Sequence, residues 1–342
     1  MSADMLPPDL GSQALPVLSI PASQSLGSLA PPKDPIRTGV VRLDKALANS
    51  SPGGLLRGQV TEVYGPPGVG KTSLALSLAS NALRGGGKVV WIDTSSPLPT
   101  PRLNKMVPES DLINLIHFRT PTLPHLMALL AHPPKNFPPD DTYLLIVDSV
   151  SSLFPSYFPN AVELKDRLEQ GKLKDKAQLQ WLLNRKWNVT GDLSMHLARF
   201  AARGIAVLAI NQTHTRIKGQ PRATLYPLLA GGSWENNVQT RVAMYRDLPD
   251  LRVAEITKRG GRITLARTGE VVVPFRIHAD GLRGYQEYQS KPNPSPPKSS
   301  AVEPTPSRKR KAREEIADSQ DEDSDEEFDW DESLFENKQG NP

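Results

Sequence analysis

One eight-residue segment limits what this chain can fold into more than any other feature of its sequence. The segment Gly65–Thr72 reads GPPGVGKT and fits the pattern G-x-x-x-x-G-K-[ST]. The apolar run GQVTEVY precedes it, and KTSLALSLASNALR follows it with Leu74, Leu78 and Ala82 spaced to share one helical face. A strand, a glycine-rich turn and a helix are therefore predicted, since glycines let the backbone N–H groups surround a phosphate.

The composition of this loop predicts a site for ATP. Lys71 is placed to reach the β- and γ-phosphate oxygens, and Thr72 is placed to coordinate Mg²⁺. A glycine turn with a purely structural role would not need a lysine and a hydroxyl residue at this spacing. The predicted nucleotide-binding residues of the loop are Gly65, Pro66, Pro67, Gly68, Val69, Gly70, Lys71, Thr72 and Ser73.

The rest of residues 34–288 alternates between apolar strands and helices. KVVWID, YLLIVDSV and IAVLAIN have the near-continuous apolar character of strands buried on both faces, and TLPHLMALLAH and SMHLARFAAR are predicted helices between them. TRVAMYR, RVAEITK, GRITLAR and VVVPFRI are short and closely spaced, which predicts antiparallel strands that extend the sheet. The expected fold is an α/β core with a mostly parallel central sheet and antiparallel C-terminal strands.

Polar residues at two strand ends are candidate members of the nucleotide site. Asp148 ends the strand LLIVD and is predicted to hold Mg²⁺ through its water shell, together with Thr72. Its alternative role is to cap the turn that follows. Gln212 ends LAINQ, where its amide is placed to contact the γ-phosphate and to transmit nucleotide state to the next loop. Polar residues end most strands, so the spacing of Gln212 alone is a weak signal.

Composition excludes several classes of function. The chain has no cysteine, which rules out disulfides, thiolate catalysis and cysteine-ligated zinc. No apolar run approaches the roughly 18 residues of a membrane span, and the N-terminus lacks the pattern of a signal peptide. A soluble intracellular protein with no membrane partner is therefore expected. Residues 1–288 carry 33 Lys and Arg against 23 Asp and Glu, a basic balance that is compatible with a polyanionic partner.

Both ends of the chain are predicted to be disordered. Residues 1–33 form an arm rich in Pro, Ser and Leu without regular periodicity, and residues 289–342 begin with a Pro- and Ser-rich linker. The basic cluster RKRKAR at 308–313 is interpreted as a nuclear import signal, with an ordinary charge block as the alternative. The folded core is therefore expected to span 34–288, and the protein is expected in the nucleus.

The C-terminal tail also contains an acidic run at 314–336. Apolar side chains stand among its carboxylates, a composition that suits either docking onto a basic groove or a purely solvated tail. These apolar residues are Phe328, Trp330, Leu334 and Phe335.

The order of the motifs points to one family. GPPGVGKT alone would suit a AAA-type ATPase, but that class commonly places Glu after its strand Asp, whereas Ser149 follows Asp148 here. IRTGVVRLDKAL, SMHLARFAARGIAVLAINQ and LLAGGSWENNVQTRVAMYR, in this order around the phosphate loop, resemble the RecA-type recombinases of eukaryotes and archaea. The chain resembles still more closely their paralogs, the Rad-type mediators of homologous recombination, over roughly Pro35 to Gly284.

This resemblance implies a RecA-type P-loop ATPase core that binds ATP, Mg²⁺ and DNA and assembles with like subunits. Residues 155–190 would correspond to the first DNA-facing loop, and the segment after Gln212 to the second. Arg216, Lys218 and Arg222 in that second segment would neutralise backbone phosphates of single-stranded DNA. Without the resemblance, three basic residues in an exposed loop could equally be solvated.

Two departures from the family pattern bear on activity. The segment before Asp34 is too short for the helical N-terminal domain of the full recombinases, so that domain is expected to be absent. In the active recombinases a glutamate that polarises the attacking water closely follows the strand matching VVWID, and Ser95 stands at that place here. A hydroxyl has no basicity near neutral pH, so hydrolysis is expected to be weak while ATP binding is kept. Asp93, at the end of the same strand, is expected to be a polar neighbour of the metal.

Three functions fit these features. The preferred hypothesis is a mediator of break repair by homologous recombination that binds ATP and single-stranded DNA, pairs with another recombinase paralog and assists the main recombinase. The second is an autonomous DNA-dependent ATPase that catalyses strand exchange. The third is a scaffold in which the nucleotide is structural and the acidic tail carries the function.

Overall fold

A computed structural model describes residues 33–48, 52–159, 163–164, 167, 170–172, 176–216, 224–247 and 251–285 of the chain. The predicted disordered segments 1–33 and 289–342 lie outside these residues, apart from Lys33, and so do the basic cluster and the acidic run.

The described part of the chain contains twelve strands and seven helices. The strands are β1 Val60–Tyr64, β2 Lys88–Asp93, β3 Leu115–Arg119, β4 Thr142–Asp148, β5 Ala206–Asn211, β6 Thr213–Arg216, β7 Thr224–Pro227, β8 Thr240–Asp247, β9 Leu251–Arg259, β10 Arg262–Ile263, β11 Val272–His278 and β12 Gly281–Gly284. The helices are α1 Val41–Ala48, α2 Lys71–Arg84, α3 Thr100–Met106, α4 Glu109–Leu112, α5 Leu123–Ala131, α6 Lys176–Ala202 and α7 Gly232–Asn237.

Ten strands form one sheet in the order β12, β11, β9, β8, β1, β5, β4, β2, β3, with β10 paired to β9. The six strands from β8 to β3 pair in parallel, and β9 to β12 continue the sheet with antiparallel pairings. The predicted α/β class and mixed sheet are confirmed. A separate two-stranded ribbon joins β6 to β7.

Two of the predicted antiparallel strands differ in detail. TRVAMYR lies in β8, which pairs in parallel with β1 because the chain crosses the sheet between β5 and β8 before it turns back into β9. Within GRITLAR only Arg262 and Ile263 form a strand, because the residues that follow belong to an exposed loop.

Apolar side chains cover both faces of the sheet. On one face, α2 packs against alternate residues such as Trp91 and Ile146; on the other face, α5 and α6 pack against Ile92 and Val147. This burial on both faces explains why the parallel strands are apolar throughout. Because parallel strands share one direction, β1, β2, β4 and β5 end at the same edge of the sheet, where ligands of such folds bind.

Within the described ranges, we find no helix that combines the length and the apolar character needed to cross a membrane.

Candidate nucleotide-binding site

The loop between β1 and α2 has the backbone path that its glycines predict. Gly68 and Gly70 adopt left-handed φ angles of 75° and 111°, which a residue with a Cβ rarely adopts. A Cβ on Gly65 would lie 2.1 Å from the carbonyl oxygen of Met244, and one on Gly70 would lie 2.6 Å from Cδ1 of Ile277. The loop is therefore pressed against β8 and β11, and only glycine fits at these two positions.

Lys71 opens α2 and its side chain folds back over this loop. Its Nζ donates to the carbonyl oxygens of Gly65 at 2.5 Å and Pro66 at 2.9 Å. Burial lowers the pKa of the Lys71 ammonium, and the attraction of Asp148 opposes that shift. A partly desolvated ammonium beside the backbone of a glycine-rich loop suits an anion with several oxygens, such as a triphosphate.

Thr72 and Asp148 meet across the site. The hydroxyl of Thr72 donates to Oδ2 of Asp148 at 2.8 Å, so the helix start and the β4 end are joined directly. Burial raises the pKa of the Asp148 carboxyl, against the opposing effects of the Thr72 hydrogen bond and of Lys71. A hydroxyl and a carboxylate at this spacing are the oxygen donors that Mg²⁺ prefers, so the residues fit the predicted metal. The Asp148–Ser149 peptide bond is cis.

Two other predicted site residues are held by neighbours. The buried hydroxyl of Ser73 accepts a hydrogen bond from Arg102 of α3 at 2.7 Å. Gln212 directly follows β5, with an exposed side chain, and its backbone N–H donates to the hydroxyl of Ser151 at 2.8 Å. The residue after β5 is thereby fixed to the turn after β4, so Gln212 shares the sheet edge with Asp148.

Asp93, at the end of β2, lies level with Asp148 of β4, as the sequence expectation of a polar neighbour of the metal ligand requires. Its carboxylate is buried, and its Oδ2 lies 2.5 Å from Nε2 of His117 on β3. Thr94 instead ties β2 to β4: its hydroxyl donates to the carbonyl oxygen of Ser149 at 2.8 Å and accepts from the Ser149 N–H at 2.9 Å. Ser95 follows immediately and is exposed. The position assigned to the missing glutamate is therefore accessible, two residues beyond the level of Asp148.

A buried polar cluster behind the phosphate loop was not predicted. Glu62 on β1 is fully buried, and its carboxylate accepts from Asn211 at 2.6 Å, Trp234 at 3.1 Å and Arg241 at 2.5 Å. Asn211 also exchanges hydrogen bonds with the backbone of Leu229. The cluster fixes the end of β5 and the start of α7 relative to β1. A charged residue inside the apolar run GQVTEVY was the signal for it in the sequence.

The predicted DNA contacts are described only in part. Arg216 ends β6, whereas Lys218 and Arg222 lie outside the described residues. Close to the predicted DNA-facing segments, a groove of about 580 Å³ runs between α6 and residues 230–237, and the half-exposed Trp187 lies along it.

Comparison with known proteins identifies the family. The Rad51 family model matches residues 35–224, which is more than half of the chain. The chain belongs to the Rad51 family. The resemblance to RecA-type recombinases and their paralogs is thereby confirmed. Proteins of the RecA and Rad51 group bind ATP, generally with Mg²⁺.

Individual relatives of this Rad51-family chain agree with that assignment. DNA repair protein rhp55 of Schizosaccharomyces pombe is 26% identical over 317 residues, which cover 74% of this chain and 87% of that protein. Protein RecA of Acidothermus cellulolyticus is 30% identical over 56% of this chain and 50% of its own length. Protein RecA of Streptomyces avermitilis is 35% identical over 36% of this chain and 32% of its own length. These similarities support a role in recombinational DNA repair.

Proposed function

We propose that this chain is an ATP-binding mediator of homologous recombination in the nucleus. In this proposal it binds single-stranded DNA, pairs with another recombinase paralog and assists the main recombinase at double-strand breaks. The observation that carries the proposal is the contrast at one sheet edge. Lys71, Thr72 and Asp148 lie together where a nucleotide would bind, while the exposed Ser95 lies at the place that the resemblance assigns to the catalytic carboxylate.

Each residue of this edge has a distinct part in the proposed site. The loop N–H groups and the Lys71 ammonium would bind the phosphates, and Thr72 and Asp148 would hold Mg²⁺, which neutralises phosphate charge. Ser95 cannot take a proton from water near neutral pH because its hydroxyl is not basic there. The chain would thus keep ATP bound for long periods, and nucleotide state would be relayed through the hydrogen bond between Gln212 and Ser151.

ATP binding is tested by removing the ammonium group of Lys71, which contacts the phosphate loop. Lys71→Ala should weaken ATP binding at least a hundredfold in calorimetry, since it removes the partly buried cation that would contact the phosphates. Lys88→Ala is the matched control, because Lys88 begins β2 at the opposite edge of the sheet, where its Nζ donates to the carbonyl oxygen of Asp140. Equal ATP affinities for the two variants would contradict the proposed site.

Weak hydrolysis is tested by restoring a carboxylate. Ser95→Glu should raise steady-state ATP turnover with single-stranded DNA at least tenfold, because a general base is returned to the expected place. Ser96→Glu adds the same charge at the next exposed residue and should leave turnover unchanged. Wild-type turnover that already rivals a full recombinase, and that Lys71→Ala abolishes, would favour an autonomous strand-exchange ATPase instead.

The groove beside α6 supports the DNA part of the proposal. An aromatic side chain along a groove offers a stacking surface to any base, which suits binding without sequence preference. Trp187→Ala should therefore weaken single-stranded DNA binding about tenfold in fluorescence anisotropy. Trp181→Ala, in the same predicted DNA-facing segment but outside the groove, separates the groove from the rest of that segment and should weaken binding less than Trp187→Ala. Unchanged binding in both variants would remove the groove from the DNA site.

The partner and the location are tested in cells. Purification of the full chain after DNA damage should recover a second recombinase paralog and the main recombinase. A fluorescent fusion should be nuclear, and Ala substitutions throughout 308–313 should shift it to the cytoplasm if that cluster is an import signal. Recovery of neither protein would leave the scaffold hypothesis as the better account.

A further inference from the structure

Three exposed apolar side chains lie on elements of the antiparallel half of the sheet and on the helix that packs against it. Ile263 of β10 is 71% exposed and Leu265, in the loop that follows, is 93% exposed. Val41, the first residue of α1, is 82% exposed. Large apolar side chains at such exposure gain by being covered, at roughly 25 cal/mol per Å². Strands β9 and β10 form a hairpin. We call Val41, Ile263 and Leu265, with the cations Arg42, Arg259, Arg262 and Arg267, the α1–hairpin surface.

Hydrogen bonds hold the two parts of this surface together. Arg42 of α1 donates to the carbonyl oxygen of Gly269 at 2.8 Å, and Arg259 at the end of β9 donates to that of Ala46 at 3.0 Å. The helix is thus joined near its start to the loop between β10 and β11, and near its end to β9. The surface is therefore presented on a connected scaffold, not on an isolated loop.

The cations of the α1–hairpin surface are only partly neutralised. Across the described residues, Arg42, Arg259 and Arg262 form no ion pair with a carboxylate. Arg267 is paired with Glu255, and Glu270 is a nearby exposed carboxylate. Residues 34–285 as a whole carry 32 Lys and Arg against 20 Asp and Glu. An acidic partner with apolar side chains would therefore match both properties of the surface.

The chain itself supplies such a segment. Residues 314–336 contain 13 Asp and Glu and no Lys or Arg, with four apolar side chains near the end of the run. The last described residue, Tyr285, donates from its N–H to the carbonyl oxygen of Pro274 near the start of β11, three residues beyond the loop that carries Leu265. From there 42 residues lead to Phe328, a length that as a random coil spans roughly 35 Å.

We propose that residues 321–336 dock on the α1–hairpin surface of the same chain. The carboxylates would face Arg42, Arg259 and Arg262, and the aromatic side chains would cover Ile263 and Leu265. A docking partner joined by a connector of this length has an effective concentration on the order of 1 mM, so even weak contacts would keep the surface covered. A duplex or single strand of DNA offers the charge but not the apolar side chains, which is why the tail is favoured.

Photo-cross-linking in the full-length chain tests this contact without ATP or DNA, so its outcome is independent of the proposed repair function. The variant Trp330→p-benzoylphenylalanine should cross-link to residues 41–45 or 259–270, as mapped by mass spectrometry. Ala301→p-benzoylphenylalanine, in the linker, is the control for random collisions. Cross-links from position 330 that map elsewhere, or that do not exceed the control, would overturn the proposal.

A second set of variants identifies the side chains that the docking of the tail requires. Ile263→Asp with Leu265→Asp should lower the cross-link yield at least fivefold, because both apolar and electrostatic matching are lost. Ile113→Asp, at another site that is 84% exposed, should leave the yield unchanged within twofold. Equal yields for the two would overturn the assignment, and so would products that join two copies of the chain. Loss of DNA binding in Arg262→Glu, with an unchanged yield, would assign the surface to nucleic acid instead.

Discussion

Glu62 gives the sharpest test of how the core is held together. Its carboxylate is the acceptor for three side chains from three different elements, namely Asn211, Trp234 and Arg241. Burial disfavours the Arg241 cation, but attraction by Glu62 and Glu235 outweighs it and raises the pKa of the guanidinium. The change Glu62→Ala would leave Arg241 with only the longer contact to Glu235, at 3.3 Å.

The burial of Glu62 and Arg241 sets the expected loss in the free energy of unfolding. The Arg241 side chain is 12% exposed and that of Glu62 is fully buried, so removal of the carboxylate leaves a desolvated charge, which costs about 3 to 5 kcal/mol. The orphaned Trp234 and Asn211 donors add to this by about 1 kcal/mol or more each, although such losses are not additive. We expect Glu62→Ala to lower the free energy of unfolding by about 4 kcal/mol. Glu62→Met with Arg241→Met removes both charges and should recover at least half of that loss.

Urea unfolding followed by far-UV circular dichroism measures these differences. The exposed Glu270→Ala is the control, and its effect should stay within about 0.5 kcal/mol. A loss below about 1 kcal/mol for Glu62→Ala would refute the reasoning, because it would mean that Arg241 finds another partner or water at little cost. A double variant that is no more stable than Glu62→Ala would show that the orphaned charge is not the source of the loss.

Three further changes probe other contacts. Gly70→Ala should weaken ATP binding at least tenfold in calorimetry, and adding Ile277→Val should restore only part, because the clash is relieved while the left-handed backbone remains. Thr72→Val should abolish the gain in ATP affinity that Mg²⁺ gives, with affinity in EDTA unchanged, since it removes only the hydroxyl. Burial and the Glu255 hydrogen bond raise the pKa of Tyr245 to about 12. The protonated Tyr245 hydroxyl therefore stabilises the fold fully below pH 10, and this stabilisation is lost as pH rises through 12. Tyr245→Phe should make the alkaline decrease in the free energy of unfolding smaller by about 1 kcal/mol, after allowance for solvent screening.

Much of the geometry of the candidate nucleotide site could be predicted because its signals are local. The spacing of Gly65, Gly70 and Lys71 depends on a backbone path of eight residues, and the strand and helix beside it are set by neighbouring apolar residues. The position of Asp148 was predictable because a carboxylate that ends an apolar parallel strand lies at the edge of the sheet where ligands bind. Contacts between residues that are distant in sequence were not predicted. Asp93 pairs with His117 on β3, and only the sheet order places that histidine beside it.

The sequence by itself determined the fold class, the family and the loop that would bind ATP, because periodicity and short motifs act over a few residues. Only the tertiary structure decided which charges share a partner. Glu62 and Arg241 are 179 positions apart, and Thr94 and Ser149 are 55 apart, so their contacts exist only after β1, β2, β4 and β8 have taken their places in the sheet. The α1–hairpin surface has the same origin, since α1 and the β9–β10 hairpin lie more than 200 residues apart and meet because α1 packs against that half of the sheet.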